Sequence, residues 1–198
     1  MILYRFVGRV RAIFKGFFFT RLNHPYFIGK SLKLNLQNGS YIGKNIKVSD
    51  NCSIIVWPKP FGEQYIKIGS NVEISRNVEI ISHGGYVEIG DNVFIGPNSQ
   101  IQGKGGVLIK NGCKIAANFF LASSDHDLSD ISSGSLEREV LGNVIIGENV
   151  WIGANVTVTK NVVIGDNSVI AAGSVVTKDV ASNTLAAGVP AKTKRLLY

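Results

Sequence analysis

The chain has 198 residues, 45% of them hydrophobic, which is enough for one domain with a continuous core; a second catalytic domain is not expected. Its formal charge of +7 is concentrated at the N-terminus: residues 1–49 carry nine Lys or Arg and no acid, while the remaining twelve bases face fourteen acids. A basic excess confined to one arm, with no basic stripe interleaved with aromatics, argues against nucleic acid as a partner.

Residues 2–18 have a helical period. Ile2, Leu3, Phe6, Val7, Val10, Ile13, Phe14, Phe17 and Phe18 fall on one side and Arg5, Arg9, Arg11 and Lys15 on the other, which predicts a basic amphipathic helix. These charges keep every apolar run short of the ~20 residues of a membrane span, and no small-residue cleavage site follows. A cytoplasmic protein is expected, with the helix either capping the next domain or contacting an anionic membrane surface. Residues 1–34 are read as this helix and a linker, 35–185 as the main domain, and 186–198 as a tail. Weak six-residue units open the domain at Leu36, Ile42, Val48 and Ile54, and a Pro- and Gly-containing loop from Trp57 to Gln64 interrupts them.

Beyond that loop an aliphatic residue returns every six positions: Ile68, Ile74, Ile80; Ile89, Ile95, Ile101; Ile109, Ile115, Leu121; and Ile146, Ile152, Val158, Ile164, Ile170, Val176. Neither helix nor ordinary strand repeats at six. Gly often follows the aliphatic residue (Gly69, Gly90, Gly96, Gly147, Gly153, Gly165), and Asn recurs two positions later (Asn71, Asn92, Asn98, Asn149, Asn155, Asn167). Both tolerate positive φ, so each unit reads as a very short strand and a corner, and stacked units form an all-β solenoid with an interior ladder. Three breaks interrupt the rhythm: nine residues from Ile80 to Ile89, eight from Ile101 to Ile109, and 25 from Leu121 to Ile146, where whole units give 24. Solenoid insertions are extruded as loops, commonly on a binding face. The longest follows directly on Ser123-Ser124-Asp125-His126. Cys52 and Cys113 occupy the fifth position of their units and read as packed small residues, without a disulfide or zinc site.

The run VIIGENVWIGANVTVTKNVVIGDNSVIAAGSVVTKDV, followed by AAGVPAK, resembles the hexapeptide-repeat acyltransferases, and within them is most similar to the galactoside, maltose and capsular or O-antigen O-acetyltransferases. The resemblance covers residues 66–195. It implies a left-handed parallel β-helix, acetyl-CoA as co-substrate with no metal, a carbohydrate acceptor, and a homotrimer with active sites between subunits. The left hand comes from the resemblance alone, since parallel crossovers are otherwise right-handed.

His126 stands where that family has its catalytic His, at the end of a repeat before the long loop. Attack of a sugar hydroxyl on a thioester needs a base, and imidazole titrates near neutrality. His24 and His83 lack such a setting. Asp125 puts an acid in the fifth position of its unit, and either it or Asp127 is a candidate to fix the imidazole tautomer. An Asx-type cap on the outgoing loop is the equal alternative for Asp125. No Ser or Cys elbow adjoins His126, so direct transfer in a ternary complex is expected.

By resemblance, Trp151 lies beside the thioester and pantetheine arm, Ala154 and Ala172 contact the coenzyme through their backbone, and Thr177, Lys178, Lys192 and Arg195 approach its phosphates. A subunit contact for Trp151 and a solvated surface for the basic residues are the alternatives. Asn98 matches an acceptor-contacting Asn, although every corner here carries one. Asp127 and Arg138 belong to the polar loop 127–143, which would shape the acceptor site. That loop opens His-Asp in place of the His-Pro of the maltose and galactoside enzymes, which points to the polysaccharide-modifying branch.

Three other readings compete. N-acetylation of an amino-nucleotide-sugar is the nearest, but such enzymes often carry an extra N-terminal domain. A γ-type carbonic anhydrase needs three zinc-binding His, and His24, His83 and His126 are scattered. A non-catalytic solenoid scaffold would bind no coenzyme.

Overall fold

A computed structural model describes residues 27–58, 64–129 and 137–197. The helix expected over residues 2–18 lies outside the described residues, within which all regular structure is strand. Each unit forms a strand of two to four residues that pairs in parallel with its counterpart one coil later. Three sheets result, of nine, seven and six strands. One coil runs through Phe94–Ile95 on the nine-stranded face, Gln100–Gln102 on the seven-stranded face and Val107–Ile109 on the six-stranded face, then returns to the first at Lys114–Ile115.

The aliphatic residues stack in register inside this coil. Ile74, Ile95, Ile115, Ile152 and Ile170 line the nine-stranded face. Ile80, Ile101, Leu121, Val158 and Val176 line the seven-stranded face. Ile68, Ile89, Ile109, Ile146 and Ile164 line the six-stranded face. All are buried, and burying each such side chain contributes roughly 1.5–3 kcal/mol.

The corners are unequal. On the two edges flanking the nine-stranded face, Asn residues adopt φ near +57° and hydrogen-bond from coil to coil, as in Asn51, Asn77, Asn98, Asn118 and Asn155 on one edge and Asn45, Asn71 and Asn92 on the other. Spacing across those two edges stays at six, from Ile68 to Ile74 and Ile74 to Ile80 and likewise in each later coil. Every departure falls on the third edge, between the seven- and six-stranded faces: Leu34 to Ile42 takes eight residues, Ile54 to Ile68 fourteen, and the three breaks named above share that edge.

The ends differ from expectation. Phe27–Ile28 already pairs with Lys47–Val48, so the solenoid starts ahead of residue 35. Its first ladder residue on the seven-stranded face is Leu34, opposite Ile54, in place of Leu36. The corner at residues 37–40 absorbs two extra residues, so counting back in sixes from Ile42 lands outside the strand. At the other end Thr184–Ala187 stays in the nine-stranded sheet, and Lys192–Leu196 folds back antiparallel along it. The tail therefore closes this face. Cys52 and Cys113 are free and buried, each thiol donating to a carbonyl at 3.0 Å, Ser75 and Gly147 respectively.

Candidate active site

The longest insertion leaves the coil at Ser123, whose side chain stays inside. Ser123 is buried, and its hydroxyl donates to the Gln102 carbonyl (3.0 Å) and accepts from the Gly105 N–H (2.9 Å). Ser124–His126 then pairs antiparallel with Glu139–Leu141, setting His126 opposite Glu139 and Asp125 opposite Val140. A Cβ on Gly105 would lie 2.2 Å from the Ser123 carbonyl oxygen and 2.6 Å from the Gly142 nitrogen, so the ribbon's base rests directly on glycine backbone. The stem of the expected loop is thus an ordered two-stranded ribbon.

Strand geometry then sorts the side chains, because neighbours along a strand project to opposite faces. His126 and Glu139 share one face of the ribbon. Asp125 projects to the other: one carboxylate oxygen accepts the His126 backbone N–H (2.9 Å) and the other faces Lys160 Nζ (3.6 Å). Asp127 alternates to that same side, accepts the Ser129 N–H (2.9 Å) and pairs with Arg138 (3.6 Å). The Ser129 hydrogen bonds, with help from Arg138, hold its carboxyl below the usual carboxylate range. Two expectations change accordingly. Asp125 does not fill the inward fifth position, since the chain has already left the coil at Ser123, and neither Asp125 nor Asp127 lies on the imidazole's face. Asp127 and Arg138, both expected at the acceptor, pair with each other across the ribbon's neck.

Lysines from successive coils flank the ribbon. Lys104, in the turn beneath, forms an ion pair with Glu139, and Lys160, in the coil above, faces Asp125. Lys178 occupies the next coil, as the register of Val158 with Val176 requires. Lys104, Lys160 and Glu139 were not among the expected site residues. The Thr-Lys doublet at 159–160, repeated at 177–178, was the available signal for Lys160. No six-residue pattern could have paired Glu139 with His126.

The other expected residues lie across the coil. Trp151 is 58% exposed on the nine-stranded face, in register between Lys114 and Val169. Val169 pairs with Leu185 and Leu185 with Arg195, so Arg195 belongs to the same outward row. Lys192 lies opposite Ala187 on the terminal strand. Ala154 and Ala172 occupy successive corners, where the Gly173 N–H donates to the Ala154 carbonyl (2.8 Å). Asn98 accepts from Asn77 and donates to Asn118 (3.2 Å), as a corner residue. The chain therefore gathers His126, Thr177 and Lys178 at the variable edge, and Trp151, Lys192 and Arg195 on the face opposite it. Among the described residues no three His, Cys, Asp or Glu side chains form a metal-binding group.

Two family models match parts of this coil: bacterial transferase hexapeptide (six repeats) over residues 143–178, and hexapeptide repeat of succinyl-transferase over residues 86–123. The chain is similar to the solved structure of NeuO, a polySia specific acetyltransferase, at 31% identity and a TM-score of 0.63 over 86% of this chain and 84% of that one. It belongs to the hexapeptide-repeat transferase family. Its three-faced coil is accordingly the left-handed parallel β-helix of that family. A variant of AntD, an N-acyltransferase from Bacillus cereus in complex with dTDP and coenzyme A, is similar at 25% identity and a TM-score of 0.67, covering 80% of this chain and 84% of that one. Another AntD variant, bound to dTDP-4-amino-4,6-dideoxyglucose and coenzyme A, gives 26% and 0.66 over the same shares. No curated protein matches the chain in sequence. These solved relatives are acyltransferases, and acyl transfer is the chemistry they support here. With 84% of AntD covered, an N-acyltransferase of this family needs no large additional domain, so chain length does not separate O- from N-transfer.

Proposed function

We propose that this protein transfers an acetyl group from acetyl-CoA to a sugar hydroxyl of a surface polysaccharide or its precursor, with His126 as general base. The observation that carries the reading is the convergence of every insertion on one edge, with an exposed His held there by a two-stranded ribbon. Similarity to NeuO, named for a polysaccharide substrate, favours a glycan acceptor. Neutral imidazole would take the hydroxyl proton as the oxygen attacks the thioester carbonyl. Collapse of the tetrahedral intermediate would break the C–S bond, and the imidazolium would return the proton to the leaving thiolate. An acyl-enzyme on cysteine is disfavoured: both thiols are buried, and burial pushes Cys113 up to about 11.

Lys178, with Thr177, would receive the coenzyme's phosphates along the edge that carries His126. The residues expected around the pantetheine arm lie on the opposite face of the same chain, so a complete site calls for the His126 edge of one subunit and the Trp151 face of another, as in a homotrimer. Exposed apolar side chains on the ribbon (Leu128, Val140, Leu141) and beside it (Phe120) are suited to such a contact. Cytoplasmic action, where acetyl-CoA is made, goes with this reading.

The test is His126→Ala, expected to lower kcat by roughly 10²- to 10⁴-fold while the affinity for CoA is unchanged. Unaltered turnover would reject the base. Similarity to AntD, whose structures hold an amino-sugar nucleotide, supports N-acylation as the second reading. Turnover of acetyl-CoA against matched panels of polysaccharides, sugars and amino-nucleotide-sugars separates the two, because only the second predicts that an amine is required.

A further inference from the structure

We infer that Glu139 is the residue that orients His126, with Lys104 holding the carboxylate in place. The inference rests on His126 acting as the base. Its starting point is the register of the ribbon. The Asp127 N–H donates to the Arg138 carbonyl (2.8 Å) and the Gly142 N–H to the Ser123 carbonyl (2.9 Å). Hydrogen-bonded and non-hydrogen-bonded pairs alternate along an antiparallel ladder, so His126 with Glu139, the pair next to the bonded Asp127 with Arg138, is of the non-bonded kind, and the count from Gly142 with Ser123 agrees. In such pairs the Cα atoms approach to about 4.5 Å and the side chains lie close together on one face. Glu139 is thus the cross-strand neighbour of the imidazole, and Asp125 and Asp127 are turned away from it.

The surrounding charges fit the same role. Lys104 reaches up from the turn below to one oxygen of Glu139, Oε2. A carboxylate has lone pairs enough for more than one donor, so Glu139 can accept an imidazole N–H as well as the Lys104 ammonium. On the ribbon's other face, Asp125 faces Lys160 and Asp127 pairs with Arg138, so those carboxylates serve cations on the side away from the imidazole. Lys178 stands a further coil away. Glu139 would fix the tautomer of the imidazole and stabilise the imidazolium that forms when the acceptor proton is taken. The carboxylate acts through His126 and stays ionised throughout, so it is a positioning residue.

The experiment compares the full-length Glu139→Gln and Asp125→Asn proteins. The NMR titration of the His126 ring is read together with the pH dependence of kcat/KM. Glu139→Gln removes the negative charge facing the ring, so the imidazolium becomes easier to deprotonate and the His126 titration and the pH–rate inflection both move to lower pH. In the same variant kcat should fall roughly 10- to 100-fold with KM for acetyl-CoA unchanged. Asp125→Asn should leave the ring titration where it is. An unmoved His83 signal reports an intact fold, which a general structural defect would disturb. A Glu139→Gln protein whose His126 titrates as in the wild type overturns the assignment, and so does an Asp125→Asn protein that reproduces the shift. If His126→Ala retains full turnover, the general-base reading fails by itself. If His126→Ala is inactive and Glu139→Gln is silent in both readouts, only the pairing proposed here fails.

Discussion

Gly105 offers a direct test of how the ribbon is seated. Its backbone carries no φ demand for glycine, so Gly105→Ala isolates the effect of space. The new Cβ would meet the Ser123 carbonyl oxygen at 2.2 Å and the Gly142 nitrogen at 2.6 Å, against an ordinary contact of about 3.4 Å. Roughly 1 Å of separation must be found, and both neighbours are backbone atoms that cannot rotate away. Overpacking of this kind costs about 1–3 kcal/mol. The same movement stretches the Gly142 to Ser123 bond and the bond from Gly105 N–H to the Ser123 hydroxyl, each worth about 1 kcal/mol. A total near 2–4 kcal/mol corresponds to a fall in Tm of roughly 5–15 °C for a chain this long. Because the strain enters at the ribbon's base, kcat should fall together with stability, while KM for acetyl-CoA should hold. Gly173→Ala is the matched comparison, since its Cβ would meet nothing within 4 Å and only its φ of +71° resists the change. That variant should lose about 1–2 kcal/mol and keep its kcat. A Gly105→Ala protein with wild-type Tm and kcat would refute the idea that the ribbon is fixed by this contact.

Three further outcomes are expected. Lys178→Ala should raise KM for acetyl-CoA and leave KM for the acceptor unchanged; if it reads the 3'-phosphate, the variant should also stop distinguishing CoA from dephospho-CoA, measured by competitive inhibition. Asp127 has a carboxyl held below its unfolded value by the Ser129 hydrogen bonds, so its contribution is complete above the unfolded pKa and is lost as pH falls through the lower folded one. Limited proteolysis at the ribbon's neck should therefore speed up below about pH 4 in the wild type, and Asp127→Asn should be cut equally fast at neutral and acid pH. Cys113, buried and with its thiol pushed up to about 11, should react with a disulfide reagent at pH 8 only at the rate of unfolding; a fast burst from this residue in the folded protein would contradict its placement.

The ladder was legible because two edges of the coil keep a fixed count of six, and each repeat of Ile, Gly and Asn records one corner of known geometry. Where that count fails, periodicity loses its frame. A corner in the first coil holds two more residues than its neighbours, so a count of six back from Ile42 reaches Leu36 where the ladder residue is Leu34. A six-residue frame extended past Ser123 gives Asp125 an inward position, although the chain leaves the coil at Ser123. The ribbon itself obeys a period of two and joins His126 to a residue on the far side of the insertion. Pairing of that kind depends on where a turn closes, and the intervening sequence does not reveal it. The separation of Trp151 from His126 was hidden for a simpler reason: 25 residues in a coil can end on any face, and only the length of the extruded part decides which.

The confinement of every irregular length to one edge has an evolutionary reading. Two corners stitched by asparagine and a core of aligned aliphatic residues form a chassis whose dimensions are indifferent to what hangs from the third corner. A new segment grafted there would change what the protein grips without disturbing a single rung of the ladder. Diversification of acceptor choice in such a scaffold can proceed by exchanging one appendage at a time, and variation among kindred chains should gather at that seam while the two stitched corners stay nearly constant in length.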